Sequence, residues 1–143
     1  RQSAMVDEIR ALRLLSRATN NVSLLLIEAN ADEAARDQTT WLPGVKYLLQ
    51  TAIEACMDVA QHICAASGWG VPNDNGQAMT ILMQHRVIEA RVEQAMRKAI
   101  GLRNVLVHEY VGVDDSIVLA RIEDLSDIDD FASQVADWLA ASD

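Results

Sequence analysis

The sequence predicts an all-α fold, an up-down helical bundle, and three observations carry that expectation. Apolar residues recur at three- and four-residue spacing through several long stretches. Half of the 143 residues are hydrophobic but only 4% are aromatic, so the apolar content is mainly Ala, Leu, Val and Ile, and Ala and Leu are strong helix formers. Two Pro and six Gly in the whole chain leave long segments without a breaker. The length suits a single domain over residues 1–143.

The first helix is expected from Ala4 to about Asn30, with Met5, Ile9, Leu12, Leu15, Val22, Leu25 and Leu26 inward and Asn20-Asn21 as a candidate kink. Residues 30–40 are polar and read as a loop with one helical turn. The second helix runs from Trp41 to Ser67. Pro43 suits its first turn, and Val45, Leu48, Leu49, Ala52, Ile53, Cys56, Val59, Ala60 and Ile63 form its wide apolar face. Gly68 is placed to end it, and the run Gly68-Trp-Gly-Val-Pro-Asn-Asp-Asn-Gly76 is the strongest loop signal in the chain. A short helix over Gln77–Gln84 and a longer one over Ile88–Tyr110 follow, the latter closed by Gly112. Asp114 or Asp115 caps the next helix, which carries Ile117, Val118, Ala120 and Ile122. Asp127 opens the last, with Ile128, Phe131, Val135, Trp138 and Leu139 inward.

A formal net charge of −9 argues against a uniformly basic nucleic-acid binder. The positive charge is clustered, however: five of the 12 Lys and Arg residues fall between Arg86 and Arg103. Cys56 and Cys64 are eight residues apart on one helix, a rise of about 12 Å, too far for a disulfide. They read as buried thiols of a reducing compartment. No other Cys or His spacing completes a zinc site. No apolar run has membrane-spanning length, and the first residues lack the order of a signal peptide. The expectation is a cytoplasmic protein with no membrane contact.

The informative segment is Gly101-Leu-Arg-Asn-Val-Leu-Val-His-Glu-Tyr-Val-Gly-Val-Asp114. Arg103, Asn104, His108 and Tyr110 are polar groups set into an apolar helix. Buried without partners they would cost about 1–3 kcal/mol each, so they either face a cleft or pair with one another. On an ideal helix Arg103 and Tyr110 nearly eclipse, whereas Arg103 and His108 diverge by about 140°. Either the helix loosens near His108, or a second copy of the segment completes the site across a two-fold axis. Histidine titrates near neutrality and serves as general base or acid. Arginine binds phosphate through paired donors. The pair suits RNA cleavage without a metal: His108 takes the 2′-hydroxyl proton, and Arg103 stabilises the charge growing on the phosphate. No dense carboxylate cluster points to a two-metal nuclease, and no cofactor is expected. A core histidine and a surface ion pair are the bland alternatives.

Arg103-Asn-Val-Leu-Val-His108-Glu-Tyr110 resembles the R-x4-6-H-x-Y signature of HepT-type toxins in the HEPN superfamily. Leu49-Gln-Thr-Ala-Ile-Glu-Ala-Cys-Met-Asp-Val-Ala-Gln-His62 is similar to that family's long helix bearing Glu, Asp and His, and the resemblance extends over about residues 5–140. It implies a HEPN-like helical bundle that dimerises, with two signatures lining a cleft. It further implies an endoribonuclease toxin of a type VII toxin–antitoxin pair. The antitoxin, a minimal nucleotidyltransferase of the MntA type, uses ATP to place AMP on the signature tyrosine, here Tyr110. Added charge and bulk would repel RNA phosphate. Arg103 and His108 take the catalytic roles on this match, and Asn104 orients either the phosphate or His108.

Glu54, Asp58 and His62 share one stripe of the second helix. Either the stripe is solvated, or Glu54 or Asp58 orients Arg103 or the catalytic histidine. His62 and His85 read as structural or surface residues. Trp41, Trp69 and Trp138 read as core or interface residues, since nothing in the sequence places them together. The Asp-rich run Asp114–Asp130 is either ordinary capping or a surface for a more basic antitoxin. The competing function is a non-catalytic helical module that binds a nucleotide or a partner, and a plain structural bundle is the third reading.

Overall fold

The computed structural model describes residues 6–108 and 112–141, and these form seven helices with no strand among them. They are α1 (Glu8–Ala29), α2 (Glu33–Arg36), α3 (Trp41–Ala66), α4 (Asn75–Gln84), α5 (Ala90–Val107), α6 (Asp115–Arg121) and α7 (Ser126–Ala141). The expected all-α bundle is present. The long helices α1, α3, α5 and α7 form a ring in which α1 packs on α3 and α7, and α5 packs on the same two. Cross-links fix the directions. Asp7 and Asn21 bond to His62 and Thr51, so α1 and α3 are antiparallel. Gln61 meets Asn75, which precedes the Gly76 carbonyl held by Arg97, while Glu54 meets Arg103, so α5 runs opposite to α3. Glu89 meets Gln134 and Arg91 meets Asp130, so α7 opposes α5.

α3 is the hub. Eleven of its residues are buried, from Val45 to Cys64, and it contacts α1, α2, α4, α5 and α7. Its end is a Schellman turn: Trp69 N–H donates to the Cys64 carbonyl and Gly68 N–H to that of Ala65, with Gly68 at φ +72°. Cys56 and Cys64 are buried free thiols; burial pushes the Cys64 pKa up to about 11 and that of Cys56 higher still. The core beneath α3 is closed by Phe131, Ile128, Val135 and Leu139 of α7.

The structure moves several boundaries. α1 starts at Glu8, because the Asp7 carboxylate accepts the Arg10 N–H and caps it there; the expected start at Ala4, and Met5, lie outside the described residues. Its inward stripe is Ala11, Leu15, Ala18, Val22 and Leu25. Ile9, Leu12 and Leu26, expected inside, are 66%, 45% and 49% exposed, because the small alanines seat α1 close to its neighbours on one narrow stripe. The helix continues through Asn20-Asn21. There the Asn21 amide donates to the Leu48 carbonyl at 3.2 Å and the Thr51 hydroxyl at 2.8 Å. α5 begins at Ala90 rather than Ile88: Arg86 takes φ +61° in a second Schellman turn that buries Val87 and Ile88 beside the helix. α4 starts at Asn75, capped by Asp74. Asp114 caps α6 as expected, but Ile117 is 55% exposed.

Two polar features lock the bundle. The nearly buried Glu93 accepts from the Thr80 hydroxyl at 2.7 Å, and Arg97 donates to the same hydroxyl at 2.9 Å, tying α5 to α4. Trp69 stacks on His85 with ring centroids 3.9 Å apart and meets Trp138 edge-on at 5.8 Å. The expectation that nothing groups the tryptophans fails here, because the ends of α3, α4 and α7 converge. Trp41 stands apart, donating to Glu28 and lying under Arg36. Among the described residues no helix is long and apolar enough to cross a membrane.

His62 accepts the Asp7 N–H at Nε2, 3.0 Å away, so it is held neutral. Burial first, then nearby Arg10, lower its pKa from the usual imidazole value, with Asp7 opposing. A depressed imidazole pKa contributes stability that is complete above the unfolded value and is lost as pH falls through the folded one. Thermal melting is therefore expected to fall on acidification from about pH 7.5 to about pH 5, and His62→Gln to flatten that slope. An unchanged slope in His62→Gln would remove this residue from the account.

Candidate active site

Arg103 sits on the last turns of α5, half-buried, facing α3. Its Nε and Nη2 donate to one oxygen, Oε2 of Glu54, at 2.9 and 2.7 Å. Its Nη1 donates to Oδ1 of the exposed Asn104 at 3.2 Å. Gln50, one turn before Glu54 on α3, donates to the same Oε2 at 3.3 Å. The ion pair is neither sealed nor fully solvated, with side-chain exposures of 23% for Arg103 and 28% for Glu54. A guanidinium carries five N–H donors; these bonds use three of them and leave one on each Nη. The glutamate therefore fixes the plane of the arginine while leaving it capacity for an anion at the rim.

His108 is exposed and ends α5. Its N–H donates to the Asn104 carbonyl at 3.0 Å, and its backbone, at φ −106° and ψ 49°, has left the helical region. The described helix stops at Val107, and the expected end at Tyr110 lies outside the described residues. The divergence of about 140° holds only for a continuous helix, and at His108 it no longer sets where the ring points. Tyr110 lies outside the described residues. Gly112, where the described chain resumes, has φ +80°, a conformation that suits glycine.

Of the sequence-predicted site residues, the structure joins Glu54, Arg103 and Asn104 directly, with His108 at the same end of α5. It does not bring Asp58 into the hydrogen bonds of Arg103; Asp58 lies one turn beyond Glu54 and is exposed. Two participants were missed by sequence reasoning. Gln50 supports Glu54, and Lys46, one turn earlier, forms an ion pair with Asp115 at 2.9 Å, tying α3 to the start of α6. The four-residue spacing Lys46–Gln50–Glu54–Asp58 was the available signal, because it defines the outer stripe of α3.

The family model described as ribonuclease HepT-like matches residues 15–135. The "mRNA nuclease HepT" of Shewanella oneidensis is 33% identical over 84 residues, 58% of this chain and 63% of its own length. A putative RNase of Archaeoglobus fulgidus is 32% identical over 101 residues, 70% of this chain and 76% of its own. The first of these matches thus spans under two thirds of the relative. Among solved structures, the tri-AMPylated Shewanella oneidensis HEPN toxin in complex with an MNT antitoxin superposes with TM-score 0.80 at 23% identity, covering 89% of this chain and 96% of that one. YutE of Bacillus subtilis gives TM-score 0.84 at 16% identity, covering 96% and 94%. These likenesses establish the shared helical fold.

The Arg103–Glu54 contact is testable by itself. A double-mutant cycle with Arg103→Met and Glu54→Gln is expected to return a coupling of about 0.5–1 kcal/mol in chemical denaturation, the size of a half-exposed pair. A coupling indistinguishable from zero would mean that the pair does not form in solution.

Proposed function

This chain belongs to the ribonuclease HepT-like family, and on that premise we propose that it is a metal-independent endoribonuclease toxin whose reaction is carried by Arg103 and His108. The observation that carries the reading is the guanidinium of Arg103, fixed by Glu54 at an open rim with donors unspent, on the same helix end as the exposed His108. In the proposed reaction His108 accepts the proton of a ribose 2′-hydroxyl. The 2′-oxygen attacks the adjacent phosphorus, the bond to the 5′-oxygen breaks, and that oxygen takes a proton from solvent water while the protonated His108 returns its own proton to solvent. Arg103 stabilises the extra negative charge on the phosphoryl oxygens as it develops. Asn104, bonded to Nη1, helps to hold the guanidinium for this task. The products are a 2′,3′-cyclic phosphate and a 5′-hydroxyl.

The same reading assigns the protein to the cytoplasm as a single-domain homodimer, with two such helix ends lining one RNA cleft. Its antitoxin is a minimal nucleotidyltransferase of the MntA type. The support for that partner is the nature of the relatives: structural neighbours include a toxin–antitoxin complex with AMP-PNP and the AMPylated toxin bound to its antitoxin. Tyr110, two residues past His108, is the proposed acceptor of AMP from ATP. An adenylyl group there would bring a phosphate charge into the site that RNA must enter.

Purified protein is expected to cut single-stranded RNA in the presence of EDTA, leaving 2′,3′-cyclic phosphate ends. His108→Ala and Arg103→Ala should each lower the rate by about 10²–10⁴-fold, the range for losing a general base or a charge-stabilising donor. Full activity in both variants would eliminate the assignment. Co-expression with a neighbouring nucleotidyltransferase should add the mass of AMP to the peptide containing Tyr110 and abolish cleavage. Tyr110→Phe should remain unmodified, and AMP found on another residue would reject Tyr110 as the acceptor.

A further inference from the structure

Three arginines on α1 have no part in the site described above. Arg10, Arg13 and Arg17 are exposed and follow one another at three- and four-residue spacing. Arg36, Lys46, Arg91, Arg97, Arg103 and Arg121 each hold a carboxylate or carbonyl through the side chain. Among the described residues no side-chain bond or ion pair engages Arg10, Arg13 or Arg17. Their placement is unfavourable for the helix: like charges at these spacings repel, and Arg10, in the first turn, also meets the positive end of the helix dipole. In a chain of net charge −9, these three cations form no ion pair among the described residues.

Their position relates them to Arg103. Two bonds register α1 against α3, Asp7 to His62 and Asn21 to Thr51. Interpolating between them, with the helices antiparallel, puts Arg17 level with Glu54, the residue that holds Arg103. Arg10 is close enough to His62 to depress its pKa together with burial. Arg10, Arg17 and Asn21 share one stripe of α1, and Asn21 shows that this stripe borders α3. The outer face of α3 is therefore flanked by Arg103 on the α5 side and by the arginine row on the α1 side. Beside the row, a shallow groove of about 540 Å³ runs between Arg13 and Arg17 and the side chains of Ile9, Leu12, Ser16 and Asn20. It offers hydrogen-bonding groups and an apolar wall together.

We infer that Arg10, Arg13 and Arg17 form an extended phosphate-binding track for single-stranded RNA, which carries the strand away from the cleavage point across the outer face of α3. The inference rests on the ribonuclease reading for the identity of its ligand. From Arg10 to Arg17 the helix rises about 10 Å, so the row addresses successive phosphates rather than one. The arginines neutralise the backbone, and Ile9 and Leu12 face the apolar parts of the nucleosides. Contacts of this kind are independent of sequence and sensitive to salt.

The test is binding of a fluorescein-labelled single-stranded RNA of about 20 nucleotides, followed by anisotropy over a salt series, with the full chain carrying His108→Ala so that the strand stays intact. Adding Arg13→Gln/Arg17→Gln is expected to raise Kd roughly ten-fold and to reduce the slope of log Kd against log salt by about 1.4, the value for two phosphate contacts on a single strand. Arg13→Lys/Arg17→Lys, which keeps the charge, should recover most of the slope. Equal Kd and equal slope in the glutamine variant overturn the track. A glutamine variant that changes the particle mass in sedimentation while keeping the RNA slope also overturns it, since the row is then a protein interface. If the chain with native His108 cuts no RNA but binding still depends on Arg13 and Arg17, the ribonuclease reading fails and the track stands.

Discussion

α3 must satisfy five neighbouring helices at once, and that constraint organises the molecule. Helices α1, α4, α5 and α7 cover it on three sides, so its side chains there are small or aliphatic and buried. Only a narrow outer stripe is left for polar residues, and Lys46, Gln50, Glu54 and Asp58 occupy it. Glu54 can hold Arg103 because α5 runs antiparallel beside that stripe. The arginine owes its orientation to helix packing, and the ion pair is a consequence of the bundle rather than its cause. At its degree of exposure the pair contributes little to stability, so its value lies in fixing the direction of a cation.

The acidic chain keeps a cation at the rim of α3 through local arrangement. Much of the negative charge from Asp114 onward is consumed within its own elements. Asp114 and Asp124 accept from Ser116 and Ser126, which lowers the pKa of both carboxyls. Asp127 pairs with Arg121, Asp130 with Arg91, and Asp115 with Lys46. This acidic run is thus largely capping and pairing. Asp129 is different: burial and the neighbouring carboxylates Asp130 and Asp127 raise its pKa. Net charge said little about the site, because fields at an open surface are screened within roughly 10 Å.

The two ends of the bundle are built differently. Trp69, His85 and Trp138 close the end where α3, α4 and α7 finish, with Glu93, Thr80 and Arg97 bonding α4 to α5 nearby. These contacts hold the start of α5 rigidly. The other end of α5 is tied to α3 by the Arg103–Glu54 pair, with Leu106 buried beneath it and His108 exposed at the tip.

The sequence by itself determined the helical class, the positions of most helices and the chemical identity of the site residues. These follow from local rules: the spacing of apolar residues, the Asp114 cap, Gly68 as a stop, and an arginine and histidine set in an apolar run. The tertiary structure decided which of those residues meet. Glu54 and Asp58 occupy the same stripe and are equivalent in sequence, yet only the register between α3 and α5 selects Glu54 as the partner of Arg103. Ile9 and Leu12 fit the apolar period as well as Leu15 does. Their exposure depends on which of several candidate stripes the small alanines of α1 allow to approach α3 and α7. The grouping of Trp69 with Trp138, far apart in sequence, likewise exists only once helix ends converge. Long-range register depends on the packing of all the helices together, so no local window of residues contains it.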